Sequence, residues 1–132
     1  MKNYLKKIFG SSPKKVPEQI QRTLLDKFPG AINIDWEFKE GLYEAIFYLN
    51  DVEHIAKVSE TEGIFEYKIN LKPTELPYEV FSPATNYGEI MNAISIHRKL
   101  ELRYEIIVRD EKFNRTLLLL NSVGELLNSK KI

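Results

Sequence analysis

From Ile32 onward the apolar residues fall on every second position. Ile32, Ile34, Trp36 and Phe38 alternate with Asn33, Asp35, Glu37 and Lys39, and a period of two fits a half-buried β-strand rather than a helix. Glu40-Gly41 then offers a hairpin turn, and Tyr43, Ala45, Phe47 and Leu49 continue one face of the next strand up to the turn pair Asn50-Asp51. A third strand runs from Val52 to Ser59, and Glu62-Gly63 leads to a fourth through Phe65, Tyr67, Ile69 and Leu71. Upstream the period changes. Val16, Ile20, Leu24 and Phe28 recur every four residues between Pro17 and Pro29-Gly30, which predicts an amphipathic helix ahead of the strands.

The same order recurs downstream. Val16-Pro17 is echoed by Leu76-Pro77, Tyr43-Glu44 by Tyr104-Glu105 and Gly63 by Gly124, the last two pairs both 61 residues apart. A constant offset pairs Phe47 with Val108, Ala56 with Leu117 and Val58 with Leu119, so apolar positions of one face coincide. The expected fold is therefore α+β: two tandem repeats of one helix followed by a four-stranded antiparallel meander, helices on one side of the sheet. The expected boundaries are a basic N-terminal tail over 1–15, a first repeat over 16–72 and a divergent second repeat over 73–132. Pro83 falls inside the second helix. Either that helix starts at Pro77 and breaks, or it begins late with Ser82 as cap and Pro83 as first residue.

Val16-Pro17, Phe28-Pro29-Gly30-Ala31, Asp35-Trp36-Glu37 and Gly41-Leu42-Tyr43-Glu44-Ala45, with Glu62-Gly63 and a second Leu76-Pro77, resemble the PepSY-like proteins of Bacteroidetes. Those proteins are also described as resembling the beta-lactamase inhibitor protein. The likeness covers residues 16–132 and is clearer in the first repeat. It implies tandem helix-plus-sheet units and a non-enzymatic, inhibitor-like role. Its motif residues are turn and core types, which bear on fold more than on function.

Little in the chain carries chemistry. There is no cysteine, which excludes disulfides, thiolate metal sites and Cys nucleophiles. The two histidines, His54 and His97, occupy unrelated positions, and no glycine-rich phosphate loop follows a strand. The acidic pairs Asp35/Glu37 and Glu60/Glu62 sit on polar strand faces or in turns, where nothing raises a carboxyl pKa for acid catalysis. The chain is read as no enzyme, with no cofactor and no metal.

Charge is balanced at 19 basic and 19 acidic residues, but unevenly placed. Lys2, Lys6, Lys7, Lys14 and Lys15 give the first fifteen residues +5 with no acid, leaving fourteen basic against nineteen acidic residues, −5, in the rest. A body of that sign repels phosphate backbones, so no nucleic acid is expected as partner. Lys6 and Lys7 interrupt the only apolar stretch of the N-terminus, which argues against a signal peptide, and no stretch is long enough to span a bilayer. The location is expected to be cytoplasmic. Tyr4, Leu5, Ile8 and Phe9 share one helical face beside lysines, a pattern that permits weak membrane-surface contact by residues 1–15.

Alternation assigns the binding surface. With Tyr43, Ala45, Phe47, Val58, Tyr104, Ile106, Val108, Leu117 and Leu119 facing the helices, their neighbours face away. Ile46, Tyr48, Ile55, Ile107, Leu118 and Leu120 then put β-branched, aromatic and aliphatic side chains where a solvated face carries polar ones. The leading functional expectation is a protein-binding module using these residues, on another protein or by self-association. The alternatives are a homodimeric scaffold, and a small-molecule or lipid binder with a helix-sheet pocket around Trp36 and Tyr43.

Overall fold

The computed structural model describes residues 15–132; the tail and its membrane-surface pattern lie outside them, apart from Lys15. In chain order the elements are α1 (Glu18–Lys27), β1 (Ile32–Lys39), β2 (Leu42–Leu49), β3 (Val52–Ser59), β4 (Gly63–Leu71), a 3-10 turn (Pro73–Glu75), α2 (Tyr78–Thr85), β5 (Glu89–Arg98), β6 (Glu101–Arg109), β7 (Arg115–Asn121) and β8 (Leu126–Lys131).

This corrects the expected architecture. The strands form one eight-stranded antiparallel sheet in the order β1 to β8, instead of two helix-plus-meander repeats. The two α-helices are minor elements among the described residues. The physical reason is backbone satisfaction: two separate meanders would expose four strand edges, while one sheet leaves only β1 and β8. Periodicity reads side chains and cannot see which edges pair.

The chain divides into two compact units, 1–68 and 69–132. In the first, the Pro17 carbonyl accepts from the Ile20 and Gln21 amides and opens α1, one residue later than proline-first spacing predicts. Leu24 and Phe28 pack with Ala45, Phe47 and Ala56, and Val16 and Ile20 pack with Val58, flanked by half-buried Trp36 and Tyr43. Phe28 and Phe47 are 5.1 Å apart by ring centroids, and His54 stacks on Phe47 at 5.3 Å. Its Nδ1 lies 2.9 Å from the Val52 carbonyl, so this imidazole is a core group.

In the second unit Leu76, Val80 and Ala84 cover Ala93, Tyr104, Ile106, Val108, Leu118 and Leu120. Burial raises the Tyr104 phenol above its usual pKa, and the nearby Glu79 charge adds to the shift. Neither expected form of the second helix occurs: α2 begins after Pro77 and runs through Pro83. Pro83 has no amide for the Glu79 carbonyl four residues back. Gly124 packs against that carbonyl so closely that an added Cβ would overlap its oxygen, and its φ of +87° is in the left-handed region. The helix and the glycine are thus matched.

Candidate protein-binding face

Strand register fixes which side chains face away from the helix in each unit. In the 1–68 unit, Asp35 pairs with Ile46, Glu37 with Glu44, Ile46 with Ile55 and Tyr48 with Glu53. All of these face away from α1, because the intervening Trp36, Ala45, Phe47, His54 and Ala56 face it. Ile46 is 7% exposed, and Tyr48 and Ile55 are half-buried. Two carboxylates here are deeply buried: Glu37 at 4% and Glu66 at 3% exposure. Lys57 Nζ lies 3.7 Å from Glu66 Oε2. This face mixes aliphatic side chains with carboxylates.

In the 69–132 unit the away-facing rows are built by β5, β6 and β7. Ile94 pairs with Glu105 and Ile96 with Arg103; Glu105 pairs with Leu119 and Ile107 with Leu117. Ile94, Ile96, Ile107, Leu117 and Leu119 are all half-buried. Ion pairs stand at both ends of β6, Arg103 with Glu101 at 2.7 Å and Arg109 with Glu89 at 3.2 Å. The result is an aliphatic field interrupted by Glu105, with ion pairs at both ends of β6.

The expected site residues divide. Ile46, Tyr48, Ile55 and Ile107 face away from the helices, as alternation predicts. Leu118 and Leu120 do not: both are fully buried in the core beneath α2, and Leu117 and Leu119 take the outer places. The cause is one residue in a loop. In the β2–β3 hairpin, Leu49 pairs with Val52 around Asn50 and Asp51, both at positive φ. In the β6–β7 hairpin the Asp110 amide donates to the Asn114 carbonyl at 3.0 Å, closing a three-residue tip. Its last residue, Phe113, has φ +64°.

One added residue turns every following side chain to the other face. The 61-residue offset therefore becomes 62 along β7. The connection from Asn121 to Gly124 is one residue shorter than that from Ser59 to Gly63 and restores it, so the matching glycines conceal the slip. Ile94, Ile96, Leu117 and Leu119 are the outward residues that sequence reasoning missed. The signal for the last two was the Asp110–Asn114 loop, whose Asp110 Oδ1 accepts from the Lys112 and Asn114 amides at 2.9 Å each.

Other chemistry is placed as follows. His97 Nε2 lies 3.0 Å from Ser95 Oγ. Among the described residues, no group of three or more His, Cys, Asp or Glu side chains is arranged to hold a metal ion. Trp36 and Tyr43 pack against the Val16, Ile20 and Val58 cluster. No helix among the described residues is long and apolar enough to cross a membrane.

No protein-family model matches the sequence, and no curated protein matches it. Solved structures match its fold. A DUF2874 family protein from Bacteroides uniformis superimposes with a TM-score of 0.78 at 18% identity, covering 89% of this chain and 90% of that one. A protein from Bacteroides eggerthii, described as periplasmic, gives 0.78 at 20% identity with 89% and 90% coverage. A BLIP-like protein from Bacteroides fragilis gives 0.74 at 19% identity, covering 90% and 89%. At these identities the likeness shows the fold. The cytoplasmic expectation does not stand beside a neighbour of this fold described as periplasmic.

Proposed function

We propose that this chain is a non-catalytic protein-binding module whose partner surface is the away-facing sheet of the 69–132 unit. One observation carries the reading: Ile94, Ile96, Ile107, Leu117 and Leu119 form a half-buried aliphatic field framed by charged residues on the face opposite α2. Interfaces draw most of their energy from a few such desolvated anchors. The BLIP-like neighbour supports an inhibitor-like variant of this role, and kinship with the PepSY-like proteins belongs to the same reading. Self-association through this face is the second form of the proposal.

The test compares Ile107→Lys and Leu119→Lys with Tyr78→Lys, a substitution of a 77% exposed residue on α2. Light scattering and affinity capture are run on each. The proposal expects the two face variants to keep their fold and lose the associated species, while Tyr78→Lys retains it. Equal association by all three proteins would overturn it.

A further inference from the structure

We propose that the outer edge of β8 binds an extended, acidic segment of another protein, which joins the 69–132 unit as a further antiparallel strand. Every residue of β8 is exposed. The Ile132 amide donates to the Arg115 carbonyl at 3.0 Å; next in register, Lys131 stands opposite Thr116, Lys130 opposite Leu117, Ser129 opposite Leu118 and Asn128 opposite Leu119. Main-chain bonding alternates along an antiparallel ladder. Ile132, Lys130 and Asn128 therefore turn their amides and carbonyls to β7, while Ser129 and Lys131 turn theirs to solvent. Such an edge is a template for another strand, which main-chain hydrogen bonds attach. The opposite edge, β1, is blunted: its register breaks between Ile32 and Asp35, and Asn33 sits at φ +53°. The break in β8 falls at Leu127 and leaves 128–131 regular.

Charge selects the occupant. Lys130 and Lys131 are consecutive, so they project from opposite faces of the sheet. Asp110, whose carboxylate feels the Lys131 charge, is held by its own loop through the Lys112 and Asn114 amides. Pairing two copies of β8 through both Ser129 and Lys131 would set Lys130 directly against its counterpart, and like charges directly opposite destabilise a ladder. The lysines thus turn away a second copy, whereas a strand with two adjacent carboxylates meets one lysine on each face. Further along the edge Leu126 and Leu127 are exposed. Read from its N-terminus, the occupant is therefore a pair of acids, a pair of polar residues and a pair of apolar ones. The edge is distinct from the sheet face proposed above and does not depend on it.

The experiment uses the full chain and a fluorescein-labelled peptide, Glu-Glu-Thr-Thr-Val-Val, beside a matched peptide with Lys-Lys in place of Glu-Glu. Fluorescence anisotropy reads binding. The acidic peptide should bind at least about tenfold more tightly than the basic one, a difference that like-charge contacts readily supply. Lys130→Glu combined with Lys131→Glu, both at exposed positions, should reverse the preference. Ser129→Pro removes an amide that faces solvent, which an edge strand tolerates, and should abolish capture of the acidic peptide with the circular dichroism spectrum unchanged. No binding of the acidic peptide, equal binding of the two, an unreversed preference after the lysine exchange, or full capture by folded Ser129→Pro overturns the proposal. A dimer that Ser129→Pro dissolves and the acidic peptide leaves intact assigns the edge to a second copy and overturns it too. Ile107→Lys should retain peptide capture; loss there would move the peptide to the sheet face and refute the edge assignment. The two readings therefore fail separately.

Discussion

Leu117 and Leu118 are neighbours of identical chemistry, and the β6–β7 register puts them on opposite faces. Leu118 is 0% exposed, within the cluster that includes Val80, Tyr104, Ile106 and Leu120. Truncation of such a side chain leaves a cavity and costs about 2 to 5 kcal/mol. For a chain of this length 1 kcal/mol moves the midpoint by about 3 to 5 °C, so Leu118→Ala should melt about 6 to 25 °C below the parent. Leu117 is half-buried, with no described helix over it, and its truncation forfeits about 1 kcal/mol of partial burial. Thermal unfolding followed by circular dichroism, with urea titration to check that the slope is unchanged, measures both. Equal losses, or a larger loss for Leu117→Ala, would refute the register and with it the corrected face.

Two further outcomes follow from the loops of the same unit. Gly124→Ala should destabilise strongly, by more than the ~1 to 2 kcal/mol of the left-handed backbone alone, because the new methyl overlaps the Glu79 carbonyl; a change below about 0.5 kcal/mol by urea titration would contradict the close packing, since that is the range of surface substitutions. At Asp110 the Asn114 amide holds the carboxyl below the usual carboxylate range, with desolvation opposing and the Lys112 amide assisting. A lowered folded pKa means a stabilising contribution that is present above the unfolded value of about 3.9 and lost as pH falls through the folded one. Asp110→Asn should keep the hairpin, since Asn121 caps the β7–β8 loop in the same way through the Val123 and Glu125 amides. The variant should lose that acid dependence, read from melting between pH 6 and pH 2; an unchanged profile would show that Asp110 does not carry it.

How far the sequence could be read depended on whether each segment carried its own phase. Val16, Ile20, Leu24 and Phe28 are all buried, because a four-residue recurrence bounded by proline and glycine defines a helix face locally. Ala45 and Phe47 alternate with Glu44 and Ile46 and declare their face in the same way. Leu117 to Leu120 is an unbroken leucine run with no alternation. Its phase had to be borrowed from the offset, and one loop residue reversed it. That the strands dominate and the two helices are minor was less legible, because the extent of strand-edge pairing is a backbone property that side-chain period does not encode. Pro83 misled because its neighbourhood is set from far along the chain, where Gly124 lies against the Glu79 carbonyl that Pro83 leaves without its helical amide. The buried carboxylates Glu37 and Glu66 read in sequence as ordinary strand surface, and only the packed sheet shows their burial.

The central claim is that the Ile107 face of the 69–132 unit meets another protein, and a photoreactive amino acid at that position tests it most directly. Three chains are compared in the source cells, with the reactive residue at position 107, at position 78 on the α2 surface, or at position 118 in the core. The account predicts one discrete protein adduct from position 107 and none from the other two. Adducts of the same mass from positions 78 and 107, or none from 107 in folded protein, would contradict it.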